Sequence, residues 1–141
     1  MGLIRILLVD DSALILAVVE RLLREALPDV VIGAARSGVV ALELFTRHLW
    51  DVVVLDISMP GESGLVVLKK LVAHLPSVAV VMFSNVTSPT VVEHCFRQGA
   101  LGFVAKEDAP DELVPAINTV RKRRHYHSKA VAHATKQADG P

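Results

Sequence analysis

The fold is decided by residues 4–12, which read IRILLVDDS. Apart from one arginine, the run Ile4–Val9 is apolar, and Asp10, Asp11 and Ser12 follow it directly. A run that is apolar at successive positions, without alternating polar residues, is typical of a strand buried on both faces. Ser12 is placed to cap the helix that should come next. The stretch therefore predicts a buried strand that ends in two carboxylates and leads into a helix.

The same pattern repeats, because short apolar runs alternate with longer segments of helical periodicity. In the first helical segment, Ile15, Val19 and Leu22 fall on one face. Glu20 and Arg24 fall on the opposite face, where they can pair across one helical turn. Five repeats of strand and helix predict an α/β fold with a doubly wound, parallel, five-stranded (βα)5 sheet and helices on both faces. The predicted strands are Ile4–Val9, Val30–Ala35, Val52–Leu55, Val78–Phe83 and Ala100–Ala105.

Serines, prolines and one glycine mark the limits of the predicted helices. Three serines are placed as N-caps, namely Ser12, Ser37 and Ser88. Helix ends are expected at Pro28, Pro76 and Gly99. The last helix should begin at Pro110 and bend at Pro115, because a proline inside a helix lacks the hydrogen of one backbone hydrogen bond.

Length and composition limit the chain to one domain with a proper core. It has 141 residues, of which 52% are apolar and 21% are charged, so general disorder is excluded. The single cysteine, Cys95, has no partner for a disulfide within the chain, which agrees with a reducing compartment. No stretch approaches the roughly 20 apolar residues that cross a bilayer, and the N-terminus does not resemble a secretory signal. We expect a soluble, cytoplasmic protein that does not associate with a membrane.

The charges are divided unevenly between the body of the chain and its C-terminus. Residues 1–120 contain 9 basic and 14 acidic residues, whereas residues 121–141 contain 6 basic residues and 1 acidic residue. The basic run Arg121–Arg124 suits the negative end of a helix dipole. It is too short, with a single aromatic residue nearby, to favour nucleic-acid binding. We expect a domain over residues 1–126 and a polar, disordered tail or the start of a linker over residues 127–141.

Chemically useful side chains follow four of the five predicted strands. Asp10 and Asp11 follow the first strand, Asp56 the third, Ser84 the fourth and Lys106 the fifth. Since ligands of an open parallel sheet bind beyond the carboxyl ends of its strands, we expect these side chains to meet at one edge. Three carboxylates in contact repel one another, and a hard divalent cation such as Mg²⁺ would relieve that repulsion. With a lysine and a hydroxyl beside them, they predict a carboxylate that accepts a phosphoryl group as an acyl phosphate.

Four motifs together carry a resemblance to a known family. They are LLVDDS at residues 7–12, VVLDISMPG at residues 53–61 with Ser63 and Gly64 after it, Ser84, and GFVAK at residues 102–106. In combination, these motifs resemble the receiver domain of two-component response regulators, in the style of the NarL/FixJ type, over about residues 3–124. The resemblance implies a flavodoxin-like receiver topology and a signalling protein that is activated by phosphorylation.

The resemblance also implies a role for each matching residue. Asp56 resembles the acceptor that takes a phosphoryl group from a kinase histidine in an Mg²⁺-dependent reaction. Lys106 resembles the lysine that pairs with the phosphoryl group, so that Asp56, Lys106 and Ser84 form the catalytic set. The implied Mg²⁺ ligands are Asp10, Asp11, Asp56 and the main-chain carbonyl of Ser58.

Two residues resemble the moving parts of the family's switch. Ser84 resembles the Ser/Thr that moves toward the phosphoryl group, and Phe103 resembles the aromatic residue whose side chain then turns inward. A new dianion at Asp56 would draw in Ser84 and Lys106, and Phe103 would fill the space that they leave. The implied result is a repacked surface on the fourth helix, fifth strand and fifth helix.

The implied partners are a sensor histidine kinase or a phosphotransfer protein, together with a homodimer that forms on phosphorylation. Receivers of this type normally continue into a helix-turn-helix domain, so DNA would be contacted only through a C-terminal domain that these 141 residues do not include. The chain would take part in its own phosphotransfer and dephosphorylation, and it would not be an enzyme that turns over a metabolite.

Other functions remain open from the sequence. One is a stand-alone receiver or phosphate shuttle without a DNA-binding output. Another is a small Mg²⁺-dependent phosphatase of the haloacid dehalogenase type, although such enzymes place an Asp-x-Asp pair after the first strand and here Asp10 and Asp11 are adjacent. A flavodoxin-like electron carrier is disfavoured, because no Ser/Thr-rich phosphate loop follows the first strand.

Two positions depart from the family's pattern. Asn85 and Val86 follow Ser84, where most relatives have a small residue first, so Asn85 should crowd the approach to Asp56 or offer it a hydrogen bond. Glu107 follows Lys106 in place of the usual proline with its cis bond. A cis bond before a residue other than proline would cost roughly 2.5–4 kcal/mol.

Overall fold

Strands and helices alternate along the whole described part of the chain, as the apolar pattern predicts. The computed structural model describes residues 3–138, with side chains described to residue 135. A short 3-10 turn, Lys106–Asp108, joins the fifth strand to the fifth helix. The strands are β1 (Ile4–Val9), β2 (Val30–Ala35), β3 (Val52–Asp56), β4 (Val80–Ser84), β5 (Gly102–Ala105) and β6 (Tyr126–His127). The helices are α1 (Ala13–Ala26), α2 (Gly38–Arg47), α3 (Gly64–His74), α4 (Pro89–Arg97), α5 (Ala109–Arg121) and α6 (Lys129–Ala138).

The strands form one parallel sheet in the order β2-β1-β3-β4-β5-β6. The predicted doubly wound α/β fold is confirmed, and β6 is a short addition at the edge beside β5. The register places Val9 opposite Leu55 and Ser84 opposite Ala105. Because the strands are parallel and in this register, the residues that follow β1, β4 and β5 emerge beside the last residue of β3.

Two hydrophobic cores lie on the two faces of the sheet, because successive side chains of a strand point to opposite faces. Leu7 belongs to the core under α2, α3 and α4, together with residues such as Leu71. Its neighbour Leu8 belongs to the core under α1 and α5, with Leu23 and Ile117. All residues of β3 and β4 are buried, which explains why these strands read as continuous apolar runs.

The predicted helix signals are met in part. Ser12 and Ser37 cap their helices, because their hydroxyls accept hydrogen bonds from the amides of Ile15 and Val40 at 3.2 Å each. Ser88 stands at the N-cap position of α4 but its hydroxyl makes no such bond. Pro89 follows it in the first turn of the helix, as predicted. The last helix begins at Ala109, one residue before the predicted start, and continues through Pro115.

Three local predictions differ from the structure. The predicted strands from Val78 and Ala100 begin two residues later, at Val80 and Gly102. The amides of Val78 and Ala100 donate instead to the carbonyls of Leu75 and Cys95 in turns. The Lys106–Glu107 bond is trans, so the family's cis bond is not kept here. None of the helices within residues 3–138 is long and apolar enough to cross a membrane.

The predicted disordered tail differs most from the structure. Residues 126–138 form β6 and α6, so the predicted boundary at 126/127 falls inside a strand. Val131 is the one large aliphatic residue of this segment, and it is fully buried against the domain together with Ser128. Contacts with distant residues therefore order a segment whose own composition favours disorder. Residues 139–141 lie outside the described residues.

Candidate functional site

Three carboxylates meet at the carboxyl ends of β1 and β3. Asp56 is the last residue of β3, and Asp10 and Asp11 follow β1, which is its neighbour in the sheet. One oxygen of each carboxylate lies within 4.8 Å of the others. Asp10 and Asp56 are each only 3% exposed, so their charges are largely removed from water. The structure thus brings together the three acids that the sequence singles out.

Lys106 places an ammonium group among these acids. Its Nζ lies 2.9 Å from Asp10 Oδ2 and 3.5 Å from Asp56 Oδ1. The same nitrogen lies 5.7 Å from the centre of the Phe83 ring, on which a cation is favourable. One ammonium cannot neutralise three carboxylates, so the site retains a net negative charge if all three are ionised.

Backbone amides fix the direction of two carboxylates. The amide of Ser12 donates to Asp10 Oδ1 at 2.9 Å, and the amide of Ser58 donates to Asp56 Oδ1 at 3.2 Å. Asp10 Oδ2 is buried and has the Lys106 ion pair but no well-aligned hydrogen bond. A buried carboxylate oxygen needs a positive partner, and Lys106 supplies one to Asp10 Oδ2.

Burial raises the pKa of Asp56, and the nearby charge of Asp10 raises it further. Lys106 and the amide of Ser58 act in the opposite direction but do not cancel these effects. The ionised form of Asp56 is therefore held at a disadvantage in the free protein. A cation bound between the carboxylates would favour the ionised form, which is the form that can act as a nucleophile.

The residues present fit a hard divalent cation. Three converging carboxylates with a single ammonium among them offer the oxygen ligands and the excess negative charge that such cations prefer. The structure shows Ser58 through its amide contact with Asp56, while the role of its carbonyl as a ligand stays a prediction.

Ser84 completes this edge of the sheet as the last residue of β4. It is buried, and its Oγ accepts a hydrogen bond from the amide of Val86 at 3.0 Å, which leaves the hydroxyl hydrogen free to donate. Ser84 lies opposite Ala105, the residue before Lys106. Asn85 and Val86 are exposed at the rim, so the predicted effect of Asn85 on Asp56 stays a prediction.

Phe103 lies in β5 and is fully buried. It belongs to the same core as Val92, Cys95 and the C-terminal Val131. Its side chain is therefore inside the domain in this structure, and its role as a switch residue stays a prediction.

Arg36, at the end of β2, is a site residue that sequence reasoning missed. Its Nε and Nη2 donate to the main-chain oxygen of Asp11 at 3.2 and 3.1 Å. The contact ties the β1–α1 loop, which carries the acidic pair, to the loop that follows β2. Its position after a strand is the one sequence signal that could have indicated it.

Gly64 allows the loop after Asp56 to close tightly, and its role was also missed. Its amide donates to the carbonyl of Ile57 at 2.8 Å. A side chain on Gly64 would overlap the Asp56 carbonyl oxygen and lie 2.7 Å from the Ile57 Cα. The start of α3 therefore packs directly on the backbone that holds the acceptor carboxylate.

The rings of two histidines near the C-terminus lie against the same aromatic side chain. His125 and His127 are two residues apart in the sequence and would not share a face of a helix. Residues 126–127 are a strand, however, and both rings lie against Phe96, with centroid distances of 5.2 and 4.5 Å.

Comparison with known proteins agrees with this geometry. The response regulator receiver domain family matches residues 6–118. The chain is 33% identical over 129 residues to the response regulator UvrY of Escherichia coli K12, and the matched region covers 92% of this chain and 59% of UvrY. It is 29% identical over 123 residues to the oxygen regulatory protein NreC of Staphylococcus carnosus, covering 86% of this chain and 57% of NreC. The chain thus spans less than two thirds of the length of these curated relatives.

Solved structures give the same result. A two-component response regulator of the LuxR family from Aurantimonas sp. SI85-9A1 superposes with a TM-score of 0.90 at 26% identity, covering 97% of this chain and 98% of that chain. The isolated REC domain of RcsB from Salmonella enterica serovar Typhimurium, in the presence of phosphomimetic BeF3−, gives 0.86 at 21% identity and covers 96% of this chain and 100% of that chain. The second likeness shows the fold alone. The chain therefore belongs to the response regulator receiver domain family, and its relatives are regulators of the NarL/FixJ type, which are signalling proteins and not metabolic enzymes.

Proposed function

We propose that Asp56 accepts a phosphoryl group in an Mg²⁺-dependent reaction and that the new charge switches the α4–β5–α5 surface. The observation that carries this proposal is the convergence of Asp10, Asp11 and Asp56 within 4.8 Å, with the ammonium of Lys106 among them. A purely structural ion pair would need one acid for one lysine. The two further carboxylates at this site exceed what one lysine can neutralise, and they suit a cation and a phosphoryl group.

The transfer step needs no group beyond a phosphodonor and the cation. A carboxylate oxygen of Asp56 attacks the phosphorus, an acyl phosphate P–O bond forms, and the bond from phosphorus to the donor breaks with its electron pair leaving on the donor. Mg²⁺ held by Asp10, Asp11, Asp56 and the Ser58 carbonyl would supply positive charge to the phosphoryl oxygens. Lys106 would pair with one such oxygen, and the Ser84 hydroxyl would donate to another.

The donor in this proposal is a phosphohistidine on a sensor histidine kinase or a phosphotransfer protein, which places the reaction in the cytoplasm where the kinase finds ATP. Because the relatives are regulators that extend well beyond the matched region, the proposed output is a C-terminal DNA-binding domain, with a phosphorylation-dependent homodimer as the active form. The second candidate is a stand-alone receiver that passes the phosphoryl group on. The chain would assist its own phosphorylation and dephosphorylation without turning over a metabolite.

The proposal is tested by incubating the 141-residue chain with acetyl phosphate and Mg²⁺. Intact mass should show one added phosphoryl group, and borohydride reduction followed by peptide mapping should place it on Asp56. An adduct on another residue would contradict the assignment. Rapid hydrolysis of a small phosphomonoester without a stable adduct would favour the phosphatase instead.

Mg²⁺ should stabilise the folded chain, because a cation that binds the folded state alone shifts the unfolding equilibrium. Above the dissociation constant, each tenfold rise in Mg²⁺ should add about 1.4 kcal/mol to the free energy of unfolding. Urea unfolding in Mg²⁺ and in EDTA measures this difference. The variant Asp11→Asn should lose most of it, whereas Asp29→Asn, in an exposed turn, should keep it. Equal stabilisation of the two variants would place the cation elsewhere.

A further inference from the structure

The chain turns back after α5 and covers β5 with its C-terminal residues. Arg123 has a φ of 63°, and this left-handed residue reverses the direction of the chain. Its Nη1 donates to the carbonyl of Ser77 at 2.6 Å. The amide of Tyr126 then donates to the carbonyl of Leu101 at 3.0 Å, as β6 begins beside β5. We call residues 126–135 the C-terminal arm.

Two carboxylates outside the arm hold its start. Asp108 Oδ2 accepts hydrogen bonds from the hydroxyl of Ser128 at 2.6 Å and from the amide of Ala130 at 2.9 Å. Glu112 accepts from the hydroxyl of Tyr126 at 2.7 Å and from the amide of Lys129 at 2.8 Å. The first amides of a helix have no partners inside the helix, and negative charge is favourable there. Asp108 and Glu112 therefore cap α6 from another part of the chain.

Ser128 links the arm directly to the backbone beside the phosphorylation site. It is fully buried, and its Oγ accepts a hydrogen bond from the amide of Ala105 at 3.0 Å while its hydroxyl donates to Asp108. Ala105 immediately precedes Lys106. The 3-10 turn Lys106–Asp108 thus has its first residue in the acid cluster and its last residue on the arm.

The arm covers the apolar face of α4 and β5 in this structure. Val131 is fully buried and belongs to the same core as Phe103. The ring of His127 stacks on Phe96 of α4 at a centroid distance of 4.5 Å. Release of the arm would therefore expose apolar surface on the face that the proposed switch controls.

We propose that the C-terminal arm is a latch that closes this face in the unphosphorylated chain and opens when Asp56 is phosphorylated. Lys106 pairs more closely with Asp10 than with Asp56, at 2.9 against 3.5 Å, so a phosphoryl group on Asp56 must draw it to a new position. The 3-10 turn moves with Lys106, and the short bonds from Ser128 and Ala130 to Asp108 lengthen. The latch rests on the proposed function, since phosphorylation of Asp56 is what moves Lys106.

Hydrogen exchange of the full chain tests the latch. The chain is phosphorylated with acetyl phosphate and Mg²⁺, and intact mass measures the adduct separately. Amides of residues 128–132 should exchange at least about tenfold faster in the phosphorylated chain, because their exchange reports opening of the arm. Amides of Leu22 and Leu23 in α1 should not change. If no adduct forms, the proposed function is contradicted. If the adduct is complete but the amides of residues 128–132 exchange at the same rate or more slowly, the latch is contradicted.

Two variants open the latch without phosphorylation. Ser128→Ala removes the hydroxyl that joins Ala105 to Asp108, and Glu112→Gln weakens the bonds to Tyr126 and Lys129. Each should speed exchange in the arm by about tenfold, and phosphorylation should add less than it does in the wild type. The control is Glu107→Gln, an exposed residue of the same turn. If Ser128→Ala fails to fold, Glu112→Gln alone decides, and arm exchange equal to that of the control contradicts the latch.

Discussion

Replacing Asp56 with asparagine is expected to abolish phosphorylation and, near neutral pH, to stabilise the unphosphorylated fold. The amide is not nucleophilic, so no acyl phosphate can form at the end of β3. Burial and the charge of Asp10 raise the pKa of Asp56, which means that its ionised form is disfavoured in the folded chain. Asp56→Asn removes that ionised group. We expect a gain on the order of 1 kcal/mol in the free energy of unfolding.

The pH dependence of this gain has a definite sign. A carboxyl whose pKa is raised by folding contributes stability at low pH, and this contribution is lost as the pH rises through the folded-state pKa. The advantage of Asp56→Asn should therefore be largest at about pH 7 and shrink toward about pH 4, because lowering the pH protonates the wild-type carboxyl. Urea unfolding at both pH values measures it, with Asp29→Asn as the surface control. Phosphate incorporation at the wild-type level would refute Asp56 as acceptor, and a less stable variant at neutral pH would refute the electrostatic account.

Replacing Gly64 with alanine should cause the largest loss of stability of the substitutions discussed. The added Cβ would overlap the carbonyl oxygen of Asp56 and lie 2.7 Å from the Ile57 Cα, both of which are backbone atoms. A side chain could rotate away from such a contact, but here the start of α3 must move from the end of β3. We expect a loss of about 3 kcal/mol or more and a fall of about 10 °C in Tm.

Gly61 provides a matched control for Gly64. It lies in the same loop with a φ of 80°, but a Cβ there would meet nothing within 4 Å. Gly61→Ala should therefore lose only the left-handed backbone preference, about 1–2 kcal/mol. Thermal unfolding of the two variants gives the comparison. A Gly64→Ala variant as stable as Gly61→Ala would show that α3 can shift freely and that the acceptor loop is not held by this contact.

The sheet and the acidic cluster could be predicted because both follow from short-range patterns. A strand buried on both faces must be apolar at successive positions, and parallel strands bring their carboxyl ends to one edge. Asp10, Asp56 and Lys106 each follow such a run, so their meeting point follows once the strands are aligned. The family resemblance then supplied the roles that spacing alone leaves open.

The C-terminal arm could not be predicted because its stability comes from residues far away in the chain. The capping bonds of α6 come from Asp108 and Glu112, which lie 17 to 22 residues before Lys129 and Ala130. A local pattern search finds an N-cap only in the adjacent residues, and the sequence around Ser128 is small and polar. Arg36 was missed for a similar reason, since its bond to the Asp11 carbonyl joins two loops 25 residues apart.

The way in which Ser128 ends the β6 edge of the sheet also bears on whether this edge can recruit strands from other molecules. A bare strand edge can template the addition of strands from other molecules, which is a common start of aggregation. Here β6 spans only Tyr126–His127, and the next amide of β5, that of Ala105, is taken by a serine hydroxyl instead of a further strand. An edge two residues long, closed by a side chain, is a poor template for fibre growth.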